Sequence, residues 1–425
     1  MREAPEKPWM PSGARSLPAP EGGRSRRLTR PQRLRRTLTG CAALVVGAAL
    51  FLGVGGRGGH ARPTPTVRIT LPASTAVAPQ PASPPALPWP ASGQAAVAIP
   101  RVGYREQSGA EGPVPVASLA KIMTAYVVLR DHPIAPGGVG PSVALTAADV
   151  AQFGVDTVTD QANVELVAGE VLTEYQMLEG LLVHSANDLA YALAAWDAGS
   201  VSAFVAKMNA VASALGMRST HFADASGFAA ASKSTAADML DVTAAAMSDP
   251  VFDRIVTMQA VTLPIAGTVS TYTPMLGTPG VVGVKSGFTT AAGGCDVLAF
   301  RTTVGGQPIT VLAAVTSQEG PTVLERTGHA ALALAKAAVA RVVSVTVAPA
   351  RRVVGVVEVA GRAARAVLAA PASVLAVAGE TVRQRVRVAR LPAGVLRAGS
   401  RIGTATFSGA GPPVSVPVVL ESTLP

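Results

Sequence analysis

Three short stretches of the chain carry side chains that can do chemistry on a carbonyl. In Pro115-Val116-Ala117-Ser118-Leu119-Ala120-Lys121, a serine precedes a lysine by three residues. On a helix that spacing puts both side chains on one face, one turn apart. A serine hydroxyl becomes a nucleophile when a base takes its proton. A lysine amine serves as that base once burial or a nearby cation lowers its pKa. Leu119, Ala120, Ile122 and Met123 supply apolar surroundings of that kind. In His184-Ser185-Ala186-Asn187-Asp188, a hydroxyl and a carboxamide stand two residues apart. In a non-helical loop both can point into a cleft, one passing a proton and the other holding a substrate amide. In Val284-Lys285-Ser286-Gly287-Phe288, a cation and a hydroxyl sit beside a glycine. They suit an anion, and the glycine lets a ligand backbone come close.

Each stretch also has a plain alternative. Ser118 and Lys121 can be two solvated residues on a helix face, and Ser185 or Asn187 can cap the following helix. Lys285 and Ser286 can end a surface strand. A phosphate-cradling loop at Gly280–Ser286 is excluded, because valine rather than glycine precedes the lysine and the pattern is that of a strand. Only six of the 36 basic side chains are lysines, and two of those six lie in these stretches.

The elements that must hold them follow from periodicity. Ser118–Arg130 reads as a helix, with Leu119, Ile122, Tyr126 and Leu129 on helical spacing. Thr146–Phe153 and Thr173–Val183 read as helices capped by their threonines. Asn187–Trp196, Val201–Leu215, Thr235–Met247 and Thr322–Val342 read as further helices. Ala95–Ile99, Val281–Lys285, Cys295–Thr303 and Ile309–Thr316 have strand length, the last two joined at Gly305-Gly306. The expected class is α+β: an antiparallel sheet covered by helices. From Val343 the chain turns to short valine-rich runs, at 344–347, 353–359, 381–388, 403–407 and 414–420, so residues 343–425 are expected to form a small β-rich domain.

Charge divides the chain in the same places. Residues 1–68 carry 13 basic and 3 acidic side chains, 69–342 carry 13 and 20, and 343–425 carry 10 and 3. Residues 1–36, rich in arginine and proline, are expected to form a disordered cytoplasmic tail. Residues 37–56 include nineteen uncharged positions from Leu38 to Gly56, near the about 20 needed to span a bilayer. The basic leader predicts a signal-anchor with everything after it outside; a cleaved signal peptide is the alternative. Residues 57–94 read as a proline-rich spacer. Aromatics are only 4% of the chain, which argues against nucleic-acid binding. The five histidines (60, 132, 184, 221, 329) lack metal-ligand spacing, and Cys41 and Cys295 make no disulfide framework.

In this order and on these elements, S-x-x-K, S-x-N and K-[ST]-G resemble the three-part signature of the penicillin-binding protein and β-lactamase superfamily. The segments PVASLAKIMTAYVVL (115–129), LEGLLVHSANDLAYALA (178–194), LGMRSTHFADASGF (215–228) and GVKSGFTTAAGG (283–294) resemble the low-molecular-weight D-alanyl-D-alanine carboxypeptidases, serine peptidase family S11. The resemblance covers residues 95–342, and the β-rich tail is similar to that family's small C-terminal domain. It implies a serine D-Ala-D-Ala carboxypeptidase acting on peptidoglycan stem peptides, inhibited by β-lactams, without metal or cofactor. It implies Ser118 as the acylated nucleophile, Lys121 as base and Ser185 as proton relay. Asn187 would orient the peptide, Lys285 and Ser286 would bind its terminal carboxylate, and the backbone N–H groups of Ser118 and Phe288, beside Gly287, would hold the oxyanion. The third motif departs by having serine where most of the branch has threonine. A D,D-endopeptidase with the same residues, a β-lactamase and a non-catalytic wall-binding protein are the alternatives. Sequence leaves the oligomeric state open.

Overall fold

One helix, Ala120–Asp131 (α1), is buried almost all round, with Ile122, Met123, Thr124, Ala125, Val127 and Val128 all fully enclosed. A helix that is apolar all round belongs inside a protein, and the rest of the fold wraps this one. The computed structural model describes residues 86–425 except 110–111, 390, 392–393 and 410, together with the short strands Thr66–Arg68 and Ala76–Val77. The apolar run at 37–56 lies outside the described residues. Among the described residues no single helix is long and apolar enough to cross a bilayer.

A five-stranded antiparallel sheet forms the frame. Its strands are β1 (Gln94–Ile99), β2 (Tyr104–Gly109), β3 (Val281–Thr289), β4 (Gly293–Val304) and β5 (Gln307–Gln318), in the spatial order β3-β4-β5-β1-β2. Alternation along β4 splits the core in two. Cys295, Val297 and Ala299 face the α1 side, while Leu298 packs with Ala331, Leu334 and Ala335 of α8 (Val323–Val339) on the other. The class is thus α+β with an antiparallel sheet between helical layers. The β4–β5 hairpin turns at Gly305-Gly306, both at positive φ as a tight two-residue turn requires.

On the α1 side lie α2 (Ala147–Val158), α3 (Glu174–Leu182), α4 (Asn187–Ala198), α5 (Val201–Ala214), α6 (Ala236–Ala246) and α7 (Pro250–Ile255). Thr146 and Thr173 cap α2 and α3 with full capping boxes through Asp149 and Gln176, satisfying two orphan donors at each end.

Residues from Val342 onward form β6 (Val342–Ala348), β7 (Val353–Val359), β8 (Arg362–Leu368), β9 (Ala372–Val377), β10 (Thr381–Val388), β11 (Arg401–Ser408) and β12 (Val414–Leu420). β6 pairs with β9, and the other five line up as β7-β8-β12-β11-β10. Val354, Val357, Leu368, Ala405, Phe407 and Val418 make a separate apolar core.

Several expectations need correction. Ser118 does not open the α-helix but sits in a 3-10 turn, Ala117–Leu119, ahead of it. In a 3-10 turn residues i and i+3 eclipse, so the alignment of Ser118 with Lys121 survives. Lys285-Ser286-Gly287 does not end its strand; β3 runs on to Thr289 because β4 pairs with it throughout. The helix expected to reach Val342 stops at Val339, where the chain enters β6. Strands β2, β8 and β9 gave no clear signal. β8 is mostly alanine and arginine, poor strand formers, and becomes a strand because β7 and β12 flank it. The proline-rich segment is not wholly a spacer: Thr66–Arg68 pairs with β7 and Ala76–Val77 with β10, so it supplies a strand at each edge of the C-terminal sheet.

Candidate active site

The turn that carries Ser118 is shaped from both sides. Ala117 has φ +48°, a costly conformation for a residue with a β-carbon. Gly227, at φ +83°, packs directly on the Ala117 carbonyl, and a β-carbon there would lie 1.8 Å from its oxygen. Gly287 of β3 packs on the other side, where a β-carbon would lie 2.7 Å from the Ser118 nitrogen. The glycine of the third motif is therefore a steric requirement: it lets the edge strand reach the serine.

Lys121 is fully enclosed. Its Nζ lies 3.0 Å from Ser118 Oγ, 3.0 Å from the Ser226 carbonyl oxygen, and within hydrogen-bond distance of Asn187 Oδ1. Burial, and then the nearby Lys285 charge, hold its pKa well below the ordinary lysine value, against the opposing fields of Asp224, Asp156 and Asp188. A neutral amine has two N–H groups and one lone pair. With the N–H groups donated to Asn187 and Ser226, the lone pair is left to accept the Ser118 O–H, as a general base must.

Asn187 is the first residue of α4, and its side chain does not cap that helix; the cap position is Ala186, with no side-chain cap bond. Its Nδ2 donates to Gln161 Oε1 at 2.5 Å, and its backbone N–H donates to the Ala162 carbonyl at 2.8 Å. Gln161 thereby fixes which end of the carboxamide faces Lys121. Ser185 lies just before α4, nearly enclosed, with φ +63°. A second strained residue thus opens the second motif, whereas Ala117 immediately precedes the first.

Lys285 and Ser286 are both buried, on the edge strand of the sheet. Burial lowers the Lys285 pKa to about 7, with the Asp296 charge opposing. Its Nζ donates to the Ser286 carbonyl at 2.9 Å. Ser286 Oγ donates to the Tyr272 carbonyl at 2.6 Å, so its hydroxyl proton is already engaged. Tyr272 also donates its N–H to Val183 and stacks on His184, with ring centroids 4.9 Å apart, tying the second motif to the third. Phe288 follows on β3 with its ring exposed.

The structure thus joins Ser118, Lys121 and Asn187 in one hydrogen-bonded cluster and brings Gly287 against it. Ser185 and Lys285 stand close by in the fold without a hydrogen bond to the other motifs among the described residues.

Several residues of this region lie outside the three motifs. Asp224-Ala225-Ser226-Gly227 reads as a structural loop, and it is one: the Asp224 carboxylate accepts from Ser226 Oγ, Gly227 N, Phe228 N, Ala229 N and Ser232 Oγ. That network places the Ser226 carbonyl on Lys121, and Thr124 Oγ1 pins the same loop to α1 through the Ala225 carbonyl at 2.6 Å. An aspartate followed closely by serine and glycine is an Asx-turn pattern, which hints at the loop and not at its partner. Gln161 and Tyr272 carry no local signal. Asp296, paired in register with Ser286, is enclosed with neither carboxylate oxygen hydrogen-bonded, and burial raises its pKa to about 8.

A serine in hydrogen-bond contact with a buried lysine, between a helical layer and a sheet edge, is an arrangement suited to serine acyl transfer. Comparison with known proteins makes the class specific. The family model of the S11 peptidases, D-alanyl-D-alanine carboxypeptidase, matches residues 104–316. A D-alanyl-D-alanine carboxypeptidase of Mycobacterium tuberculosis is 34% identical over 185 residues, covering 42% of this chain and 59% of that protein. A D-alanyl-D-alanine carboxypeptidase of Streptomyces sp. strain K15 is 33% identical over 215 residues, covering 46% of this chain and 71% of its own length. The crystal structure of a peptidoglycan synthesis regulatory factor from Streptococcus pneumoniae shares the fold, with a TM-score of 0.58 at 20% identity, over 79% of this chain and 99% of that one. The chain belongs to the S11 family of D-alanyl-D-alanine carboxypeptidases.

Proposed function

We propose that the protein is a penicillin-sensitive serine D-Ala-D-Ala carboxypeptidase that removes the terminal D-alanine from peptidoglycan stem peptides. The observation that carries this is the enclosed Lys121 amine, with its N–H groups matched to Asn187 and Ser226 and its lone pair free for Ser118. In the proposed reaction Ser118 Oγ attacks the penultimate carbonyl and its proton passes to Lys121. The oxyanion is held by the backbone N–H groups of Ser118 and Phe288. Collapse expels D-alanine, which takes a proton through Ser185, and water then hydrolyses the acyl-enzyme by the same groups. Asn187 holds the peptide amide with its remaining N–H. Lys285, and Ser286 once its hydroxyl leaves Tyr272, bind the terminal carboxylate.

In this proposal residues 95–342 are the catalytic domain and 343–425 a separate β-rich domain. Residues 37–56 anchor the chain in the cell membrane with the catalytic domain outside, 1–36 lie in the cytoplasm and 57–94 link anchor to enzyme. The uncharged run after a basic leader supports that orientation. Endopeptidase action on cross-links is the second reading, because D-alanyl-D-alanine endopeptidases are among the relatives. The test is release of free D-alanine from a stem pentapeptide by the wild-type chain and not by Ser118→Ala. Cleavage of cross-linked dimers without D-alanine release from pentapeptide would favour the endopeptidase; neither activity would refute both.

A further inference from the structure

The outer face of the C-terminal sheet carries a row of charge that the catalytic proposal does not use. Arg383, Arg385 and Arg387 alternate along β10, so all three project from one face about 7 Å apart. All three are exposed, while Val382 between the strand's outward residues is buried. On the neighbouring strand each arginine has a hydroxyl directly opposite: Ser408 for Arg383, Thr406 for Arg385 and Thr404 for Arg387. Together they line a surface trough of about 720 Å³. No ion pair involves the three arginines among the described residues. The flanking acids are engaged elsewhere: Glu380, just before β10, accepts from the Val377 N–H, and Glu421, beyond β12, is taken by Arg351 and Arg365.

Like charges in a row repel one another, and an anion bound along the row relieves that repulsion. Ala76–Val77 covers β10 only at Thr381 and Val382, and charge that merely kept the remaining edge from aggregating would not need a matched row of hydroxyls beside it. Residues 343–425 contain ten arginines and no lysine. The arginine fork donates two parallel hydrogen bonds to a phosphate, and a neighbouring hydroxyl adds a third donor. The remaining lining side chains, such as Gln384 and Pro413, include no aromatic or large aliphatic group. A face that docks on a bilayer needs apolar anchors, and one that grips single-stranded nucleic acid needs aromatic platforms. A narrow linear row of donors fits a linear chain of anions instead.

We propose that this arginine–hydroxyl ladder binds a linear polymer of phosphodiesters outside the catalytic site, holding the enzyme on an anionic polymer while the serine site works.

The experiment measures binding of fluorescent poly(glycerol phosphate) to the full chain in neutral detergent micelles. R383Q/R385Q/R387Q is compared with R362Q/R365Q/R397Q, which removes the same charge elsewhere on the domain. The ladder variant is expected to weaken binding by about tenfold or more and to lower the slope of log affinity against log salt by roughly two, as loss of about three phosphate contacts predicts. The second variant is expected to change binding no more than about twofold, and both are expected to keep wild-type thermal midpoints and penicillin acylation rates. Equal weakening by both variants would mean diffuse attraction and overturn the site. Unchanged binding in the ladder variant would do the same. Competition by phosphatidylglycerol-containing micelles as strong as by free polymer, at equal phosphate, would assign the face to lipid and overturn the polymer.

Discussion

The catalytic body and the C-terminal sheet handle charge in opposite ways. Around Ser118 the chain buries its charges: Lys121, Lys285, Asp188 and Asp296 are enclosed or nearly so. In the C-terminal sheet the arginines face out, and the core holds valine, alanine, leucine and phenylalanine. Burying a charge costs several kcal/mol unless it is paired or neutralised. The first region therefore holds groups whose protonation is abnormal, as proton-transfer chemistry at neutral pH requires. The second keeps its arginines at the surface, within reach of a ligand, as a binding face needs. The contrast teaches where to look for chemistry: in the region that tolerates expensive groups.

The contrast is broken most severely by changing Lys121. Lys121→Arg keeps a cation that cannot release its proton, so penicillin acylation should fall by about 10²- to 10⁴-fold in stopped-flow labelling, the usual value of a general base. Undiminished acylation would make a base role untenable. Gly227→Ala comes next. Its β-carbon has no room against Ala117 and φ is positive, so about 3 kcal/mol or more of stability should be lost in urea melts, with the Ser118 turn displaced. Asp224→Asn replaces one of two carboxylate oxygens, which together accept from at least five donors, with an NH2 group that can only donate. A loss of about 2–4 kcal/mol is expected, and acylation should slow even where the variant remains folded, because the Ser226 carbonyl no longer holds Lys121.

The smallest effect is on pH. Burial holds Glu174 and Asp188 at about 7, whereas an unfolded carboxyl titrates near about 4. Between those values the native state binds more protons, so stability falls as pH rises from about 4 to about 7. Lys121 and Lys285 act in the opposite sense. Their native pKa values lie below about 10.4, so above neutrality the unfolded state binds more protons and stability returns as pH rises. Thermal melts should therefore show a lower midpoint near pH 7 than at pH 5. Glu174→Gln should flatten the acid-side slope, raising stability at pH 7.5 by about 1 kcal/mol while leaving pH 4 unchanged. A flat profile in the wild type would contradict the buried-charge account.

The same two regions show what a sequence makes legible. The helices around α1 could be read from periodicity and from Thr146 and Thr173, because local capping chemistry decides where they start. The motif residues Ser118, Lys121, Asn187 and Lys285 could be read because their order is specific even though each stretch alone is ambiguous. Gln161, Tyr272 and Asp296 could not, because their roles come from contacts across the fold that no local pattern encodes. Valine-rich strands such as β7 and β12 stand out, whereas β8, built of alanine and arginine, becomes a strand only through its neighbours. The strands lent by residues 66–68 and 76–77 are the extreme case, since a proline-rich stretch gives no pairing signal until a sheet edge is present.

The central claim is that Ser118 is the nucleophile and a neutral Lys121 its base. Peptide mapping of the penicilloyl adduct across pH tests both at once. A single adduct on Ser118 is expected, absent in Ser118→Ala, with an acylation rate that falls on the acid side as Lys121 gains a proton. An adduct on another residue, or labelling of Ser118→Ala at the wild-type rate, would contradict it.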